Sequence, residues 1–139
     1  MSRRFRYILL AAYGLLMAWL LFGQRMGQGS EGILQLKPLN TLKWFWWVLR
    51  NSGEPGLRTH ALINLVGNVA MFVPLGFLLP WIWDFFRKFW RHILLMAAII
   101  IAVELSQYCF QLGTCDVDDL LLNVIGTSLG YCFWKCMNK

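Results

Sequence analysis

Apolar residues in this chain gather into four long blocks, at residues 7–23, 61–83, 92–112 and 120–137, with polar segments between them. Each block reaches the roughly 17–25 residues that a helix needs to cross the hydrocarbon layer of a bilayer. The pattern predicts an all-α integral membrane protein with four transmembrane helices, in a single domain over residues 1–139. Composition points the same way. Of 139 residues, 58% are hydrophobic and 14% charged, against about 25% charged in an ordinary soluble domain.

A shorter pattern sits between the first two blocks. Leu42, Phe45, Trp46 and Leu49 follow i, i+3, i+4, i+7 spacing, which predicts a short amphipathic helix capped by Asn40 or Thr41. Lys43 and Arg50 flank the stripe, and Trp44 and Trp47 widen it. Tryptophan partitions to the headgroup level, so Trp44, Phe45, Trp46 and Trp47 are expected on an interfacial or re-entrant helix. Anchoring is its first expected role, and a lid over a lipid-facing cavity the second. The Gly-, Ser- and Pro-rich ends of the same loop read as irregular.

Net charge is +6, which on its own would suggest a nucleic-acid partner. The distribution argues against that. Arg3, Arg4 and Arg6 precede the first block, Arg87, Lys88 and Arg91 lie between the second and third, and Lys135 and Lys139 end the chain. With four alternating spans, all of these fall on one side, which the positive-inside rule makes cytoplasmic. Both termini are therefore expected in the cytoplasm. No small-residue A-x-A site precedes Gln24, so the first block reads as a retained anchor and not a cleaved signal. Cys109, Cys115, Cys132 and Cys136 suggest no disulfide framework and read as small buried apolar side chains.

Several polar residues interrupt the apolar blocks. Asn64 and Asn68 are one helical turn apart in the second, on the same face as Gly67. Pro74 has no N–H for the carbonyl of Ala70, so a kink or opening is expected over residues 72–76. In the third block Glu104, Gln107 and Gln111 form a polar stripe. A carboxylate at mid-bilayer costs roughly 2.5–3.5 kcal/mol on insertion scales, so Glu104 should face the bundle. Arg58 is the nearest cation by depth. The fourth block opens with Asp116 and Asp119, followed by Asn123 and Thr127, and Gly126 with Gly130 gives a small-xxx-small surface. Because the spans alternate in direction, these groups converge on one level, the outer half of the bilayer. Singly, each can be a helix cap or interhelical glue. Together, Asn64, Asn68, Glu104, Gln107, Asp116, Asp119 and Asn123 define a candidate ligand cavity.

Four stretches carry a family resemblance. The run NLVGNVAMFVPLGFLLP at residues 64–80, the Glu104-x-x-Gln107 pair, and DVDDLLLN at 116–123 followed by Gly126, Gly130 and Tyr131 resemble the VanZ-like family. ILQLKPLNTL at 33–42 looks like that family's N-L-x-P-F-x-T-I stretch. The resemblance spans residues 33–131. It implies a bacterial plasma-membrane protein and, through the family's founding member, low-level resistance to the glycopeptide teicoplanin. Many members carry an arginine shortly before the acidic motif. Gly113 and Thr114 stand there in this chain, so no role of that arginine transfers.

The first functional expectation is therefore a non-enzymatic membrane protein that binds a lipid, a lipid-tailed glycopeptide or a cell-wall precursor in the outer half of the bilayer. The alternative is a membrane enzyme acting on a lipid-linked precursor through Glu104 and Asp116 or Asp119, by acid–base chemistry or Mg²⁺ held on oxygen. There is no Ser-His-Asp set, H-E-x-x-H or glycine-rich phosphate loop, so no cofactor or metal is expected. His60 and His92 lie at opposite membrane faces. A third expectation is an assembly subunit that forms an oligomer through Gly126 and Gly130.

Overall fold

The computed structural model describes residues 2–23, 34–112 and 115–138. Helix α1 (Arg3–Ala18) is capped by Ser2, whose hydroxyl accepts from the Phe5 N–H, and runs on into a π-helical turn over Trp19–Gly23. Strand β1 (Leu34–Gln35), helix α2 (Asn40–Asn51) and helix α3 (Pro55–Ile82) follow. A 3-10 turn (Asp84–Arg87) leads into α4 (Phe89–Cys109), then β2 (Cys115–Asp116) and α5 (Val117–Met137). Among the described residues, four helices are long and apolar enough to cross a membrane: α1 with its π-helical turn, α3, α4 and α5. At 1.5 Å per residue, the 28 residues of α3 span about 42 Å, so its first turns extend beyond the roughly 30 Å hydrocarbon layer.

The bundle is held by close contact between α3 and α5. A Cβ on Gly76 would collide with the Thr127 carbonyl, one on Gly126 with that of Val69, and one on Gly130 with that of Val73. Glycine at these three positions lets two backbones touch, which is how helices gain dispersion contact in lipid. The Gly126–Gly130 face is thus filled from within the chain by α3. Met17, Phe72, Leu79, Met96 and Ile100 pack into the main core, with contributions from α1, α3 and α4.

Helix α1 is mostly exposed, as a lipid-facing span should be, and is tied down by polar contacts at three levels. The Arg6 guanidinium donates to the Trp81 carbonyl (3.0 Å) and lies over the Trp81 ring. The Tyr13 hydroxyl donates to the Met71 carbonyl (2.6 Å), and Gln107 Nε2 donates to the Leu21 carbonyl (2.8 Å). Tyr131 donates to the Arg87 carbonyl (2.6 Å), which closes the end that carries the basic residues of α1, the 3-10 turn and the start of α4. This is the chain-terminus end. The opposite end carries α2 and the two short strands, and is called the loop end below.

Several local expectations need correction. Neither Asn40 nor Thr41 caps α2; the cap position is Leu39, in left-handed conformation (φ 64°) with no side-chain cap of its own. The buried face of α2 is Phe45 and Val48, packed on Ala61, Leu49 and Leu65, whereas Trp46 points away and is 63% exposed. Helix α3 continues through Pro74 and Pro80 to Ile82. Helix α4 ends at Cys109, and Gln111 adopts a left-handed conformation (φ 55°) in the turn that follows. Gln111 therefore leaves the stripe of Glu104 and Gln107. Cys109, Cys132 and Cys136 are exposed and Cys115 half-buried, so burial does not describe the cysteines. The two-residue strands, paired in parallel as Leu34 with Cys115 and Gln35 with Asp116, have no counterpart in the sequence pattern. The loop residues 24–33, with Arg25 and the cleavage-site position, and the Gly113–Thr114 pair fall outside the described residues.

Candidate functional site

The glycine-mediated contact of α3 with α5 sets the register that brings Asn68 opposite Asp119. Asn68 Nδ2 donates to Asp119 Oδ1 (2.6 Å) and, more weakly, to Asn64 Oδ1 (3.4 Å). The interhelical bond ties α3 to α5 at this level. It satisfies a buried amide that lipid would otherwise penalise.

Asp116 joins three elements. Its Oδ1 accepts from the Asp118 N–H (2.8 Å), capping α5, and its Oδ2 accepts from the Thr41 hydroxyl of α2 (2.5 Å). Its own N–H approaches Glu104 Oε2 of α4 (3.4 Å), in a buried contact. Asp118, fully buried, accepts from the N–H groups of Leu39 (2.6 Å) and Leu42 (3.1 Å). The acidic motif therefore divides its labour. Asp116 and Asp118 organise helix ends, and Asp119 faces α3.

Two polar cavities open beside this arrangement at the loop end. One, of about 330 Å³, is lined by Gln35, Thr41, Trp44, Phe45, His60, Asn64, Asp116 and Asp119. The other, of about 360 Å³, is lined by Leu20, His60, Ile63, Asn64, Gly67, Asn68 and Met71. His60 and Asn64 border both. A third cavity, of about 340 Å³, is apolar except for carboxyl groups: Leu34, Leu36, Ile101, Leu105, Cys115, Val117 and Leu120 surround Glu104 and Asp116. Asp116 thus stands between a polar and an apolar cavity. Among the described residues no Lys or Arg lines any of the three.

Of the residues singled out in the sequence, Asn64, Asn68, Glu104, Asp116 and Asp119 line these cavities. Gln107 does not. Its amide is engaged with the end of α1. Asn123 also does not; it is buried deeper, with its Oδ1 lacking a hydrogen-bond partner among the described residues. Trp44 and Phe45 line the first cavity, and Trp46 and Trp47 face outward. Arg58 is exposed on the first turn of α3.

Four polar lining or organising residues are not among the site candidates that the sequence offers: Gln35, Thr41, His60 and Asp118. For His60 a signal existed, since His60, Asn64 and Asn68 recur every four residues along one helical face. Among the described residues no three His, Cys, Asp or Glu side chains gather as a metal site. Burial, then the Glu104 and Asp116 carboxylates, push the Cys115 thiol above its ordinary pKa.

A family model described as VanZ/LLP1 matches residues 6–138, a wider stretch than the motifs at residues 33–131 cover. No curated protein and no solved structure matches the chain.

Proposed function

The chain belongs to the VanZ/LLP1 family, and from that premise we propose that this multi-pass membrane protein binds an amphiphile at its loop end. The polar head would sit among His60, Asn64, Asp116 and Asp119, and an acyl chain in the neighbouring apolar cavity beneath Glu104. The observation that carries this reading is the placement of Asp116, shared by a polar cavity and an apolar one. An amphiphile has the same two-part chemistry.

The lining also favours a class of head group. Asp116 and Asp119 accept hydrogen bonds, Trp44 and Phe45 offer aromatic faces, and among the described residues no lysine or arginine lines the cavity to draw an anion. A head rich in N–H donors, an ammonium among them, fits this lining. The basic residues at the opposite end support an orientation with both termini in the bacterial cytoplasm, so the site would face the outer leaflet. A lipid-tailed glycopeptide reaches that leaflet from outside, which would connect the site to teicoplanin resistance.

The test compares phosphatidylethanolamine with phosphatidylcholine, which differ in the N–H donors of the head. Native mass spectrometry of the purified protein should show preferential retention of the ethanolamine lipid, lost when Asn64→Leu and Asp119→Asn are combined. Equal retention of both lipids by the wild type would overturn the head-group assignment. In a susceptible host, the resistance arm predicts protection against teicoplanin and not vancomycin, abolished by the same pair of substitutions.

A further inference from the structure

A shallow open groove lies at the other end of the molecule and plays no part in the site above. Of about 470 Å³, it is lined by Phe85 of the 3-10 turn and by Trp90, Arg91, Leu94, Leu95 and Ala98 of α4. Arg91, Leu94, Leu95 and Ala98 follow i, i+3, i+4, i+7 spacing, so they form one stripe along the outside of a membrane-spanning helix. The stripe begins with a cation in the first turn and continues as purely apolar wall for about 10 Å.

Arg91 is held in a particular way. Its guanidinium lies 5.4 Å from the centre of the Phe85 ring and 5.3 Å from that of the Trp90 ring. Among the described residues it makes no hydrogen bond or ion pair, so its planar fork of donors is uncommitted. Its neighbour differs: Arg87 is bound to Asp84 at 2.9 Å. Lys88, exposed beside the groove, adds to the positive field. Aromatic contacts steady the guanidinium and leave its N–H groups available, which suits two-point recognition of a phosphate.

We propose that this groove is a binding site for an anionic phospholipid of the leaflet on the chain-terminus side. Its phosphate meets Arg91, and one acyl chain lies along Leu94, Leu95 and Ala98 between the Phe85 and Trp90 rings. Charge complementarity selects the occupant. A lone apolar groove on a membrane helix accepts any lipid tail, but one that opens at an uncommitted arginine favours the anionic head. The site is distinct from the loop-end cavities in both position and charge preference.

The experiment offers purified protein equimolar phosphatidylglycerol and phosphatidylcholine and counts retained lipids by native mass spectrometry. The wild type should prefer phosphatidylglycerol about fivefold, the effect of one basic residue near an anionic surface. Arg91→Gln should bring the ratio near one, and Arg91→Lys should keep much of the preference, since charge survives. Leu95→Trp should lower retention of both lipids by filling the groove. Raising salt on the wild type weakens the preference without any substitution, a readout that stands even if Arg91→Gln fails to fold. A wild-type ratio near one, an unchanged preference in Arg91→Gln, or unchanged retention in Leu95→Trp would each overturn the proposal.

Discussion

Asp118 accepts the backbone N–H of Leu39 at 2.6 Å, so the amphipathic helix α2 is capped by a carboxylate 79 residues further along the chain. Its second oxygen accepts from Leu42. Two of the N–H groups that a helix start leaves without partners are thus met from α5. The negative charge also lies at the favourable end of the helix dipole. The left-handed backbone of Leu39, costly for a residue with a Cβ, is held by the same contact.

From this follows a prediction for Asp118→Ala. It strands two N–H groups at a buried position and should destabilise the loop end by about 1–3 kcal/mol. Asp118→Asn, which keeps one acceptor, should lose less. Thermal unfolding in detergent checks the order. Tryptophan emission follows detachment of α2 once Trp19, Trp81, Trp83, Trp90 and Trp134 are replaced by Phe, because Trp44, Trp46 and Trp47 all lie on it.

The α3–α5 contact predicts a sharp contrast between glycines. Gly130→Ala drives a methyl into the Val73 carbonyl, a backbone group that cannot swing aside. Overpacking of this kind costs about 1–3 kcal/mol. Gly14→Ala on α1 meets nothing within 4 Å and improves helix propensity, so it should be neutral or slightly stabilising. Equal unfolding temperatures for the two variants would contradict the packing described.

These contacts show which parts of the fold a sequence can declare. Lipid demands unbroken apolar runs with internally bonded backbone, so the four spans are visible in residue order. The phase of α2 is not. Residues 44–48 are all apolar, and periodicity alone names no single buried face. Docking decides it, when Asp118 grips the start of the helix and turns Phe45 and Val48 onto Ala61. The β1–β2 pairing is equally hidden, because two residues of strand form only where Glu104 and Thr41 hold Asp116 in place. In the candidate site, Asn64, Asn68 and Asp119 were legible as polar groups where lipid excludes them. His60 was not, since a lone histidine at a membrane rim is unremarkable until its four-residue spacing to Asn64 and Asn68 is noticed.

Cys115 provides a pH-dependent probe of the strand that carries Asp116. Its thiol pKa is raised by burial and by the Glu104 and Asp116 carboxylates. The thiolate is the reactive form, so near neutral pH maleimide labelling of Cys115 should lag behind that of exposed Cys109. Raising the pH toward the elevated pKa should accelerate it. Glu104→Gln removes one of the two repelling charges and should speed labelling at fixed pH. Site-resolved mass spectrometry separates the four cysteines, and labelling of Cys115 as fast as Cys109 at neutral pH would contradict the environment described.

Gln107 separates a structural polar residue from a ligand-binding one. It sits one turn from Glu104, yet its amide donates to the Leu21 carbonyl in the π-helical turn that ends α1. That turn leaves carbonyls without helix partners, and in lipid such a group needs a donor from elsewhere. Gln107→Leu removes the donor and should loosen α1 at its loop end, at a cost of about 1–3 kcal/mol for the stranded carbonyl. Hydrogen exchange should rise in residues 15–23, while α3 and α5, joined through glycine contacts that Gln107 does not touch, keep their protection. Retention of the ethanolamine lipid should survive, because Gln107 lines none of the loop-end cavities. Loss of that lipid with α1 still protected would return Gln107 to the binding site.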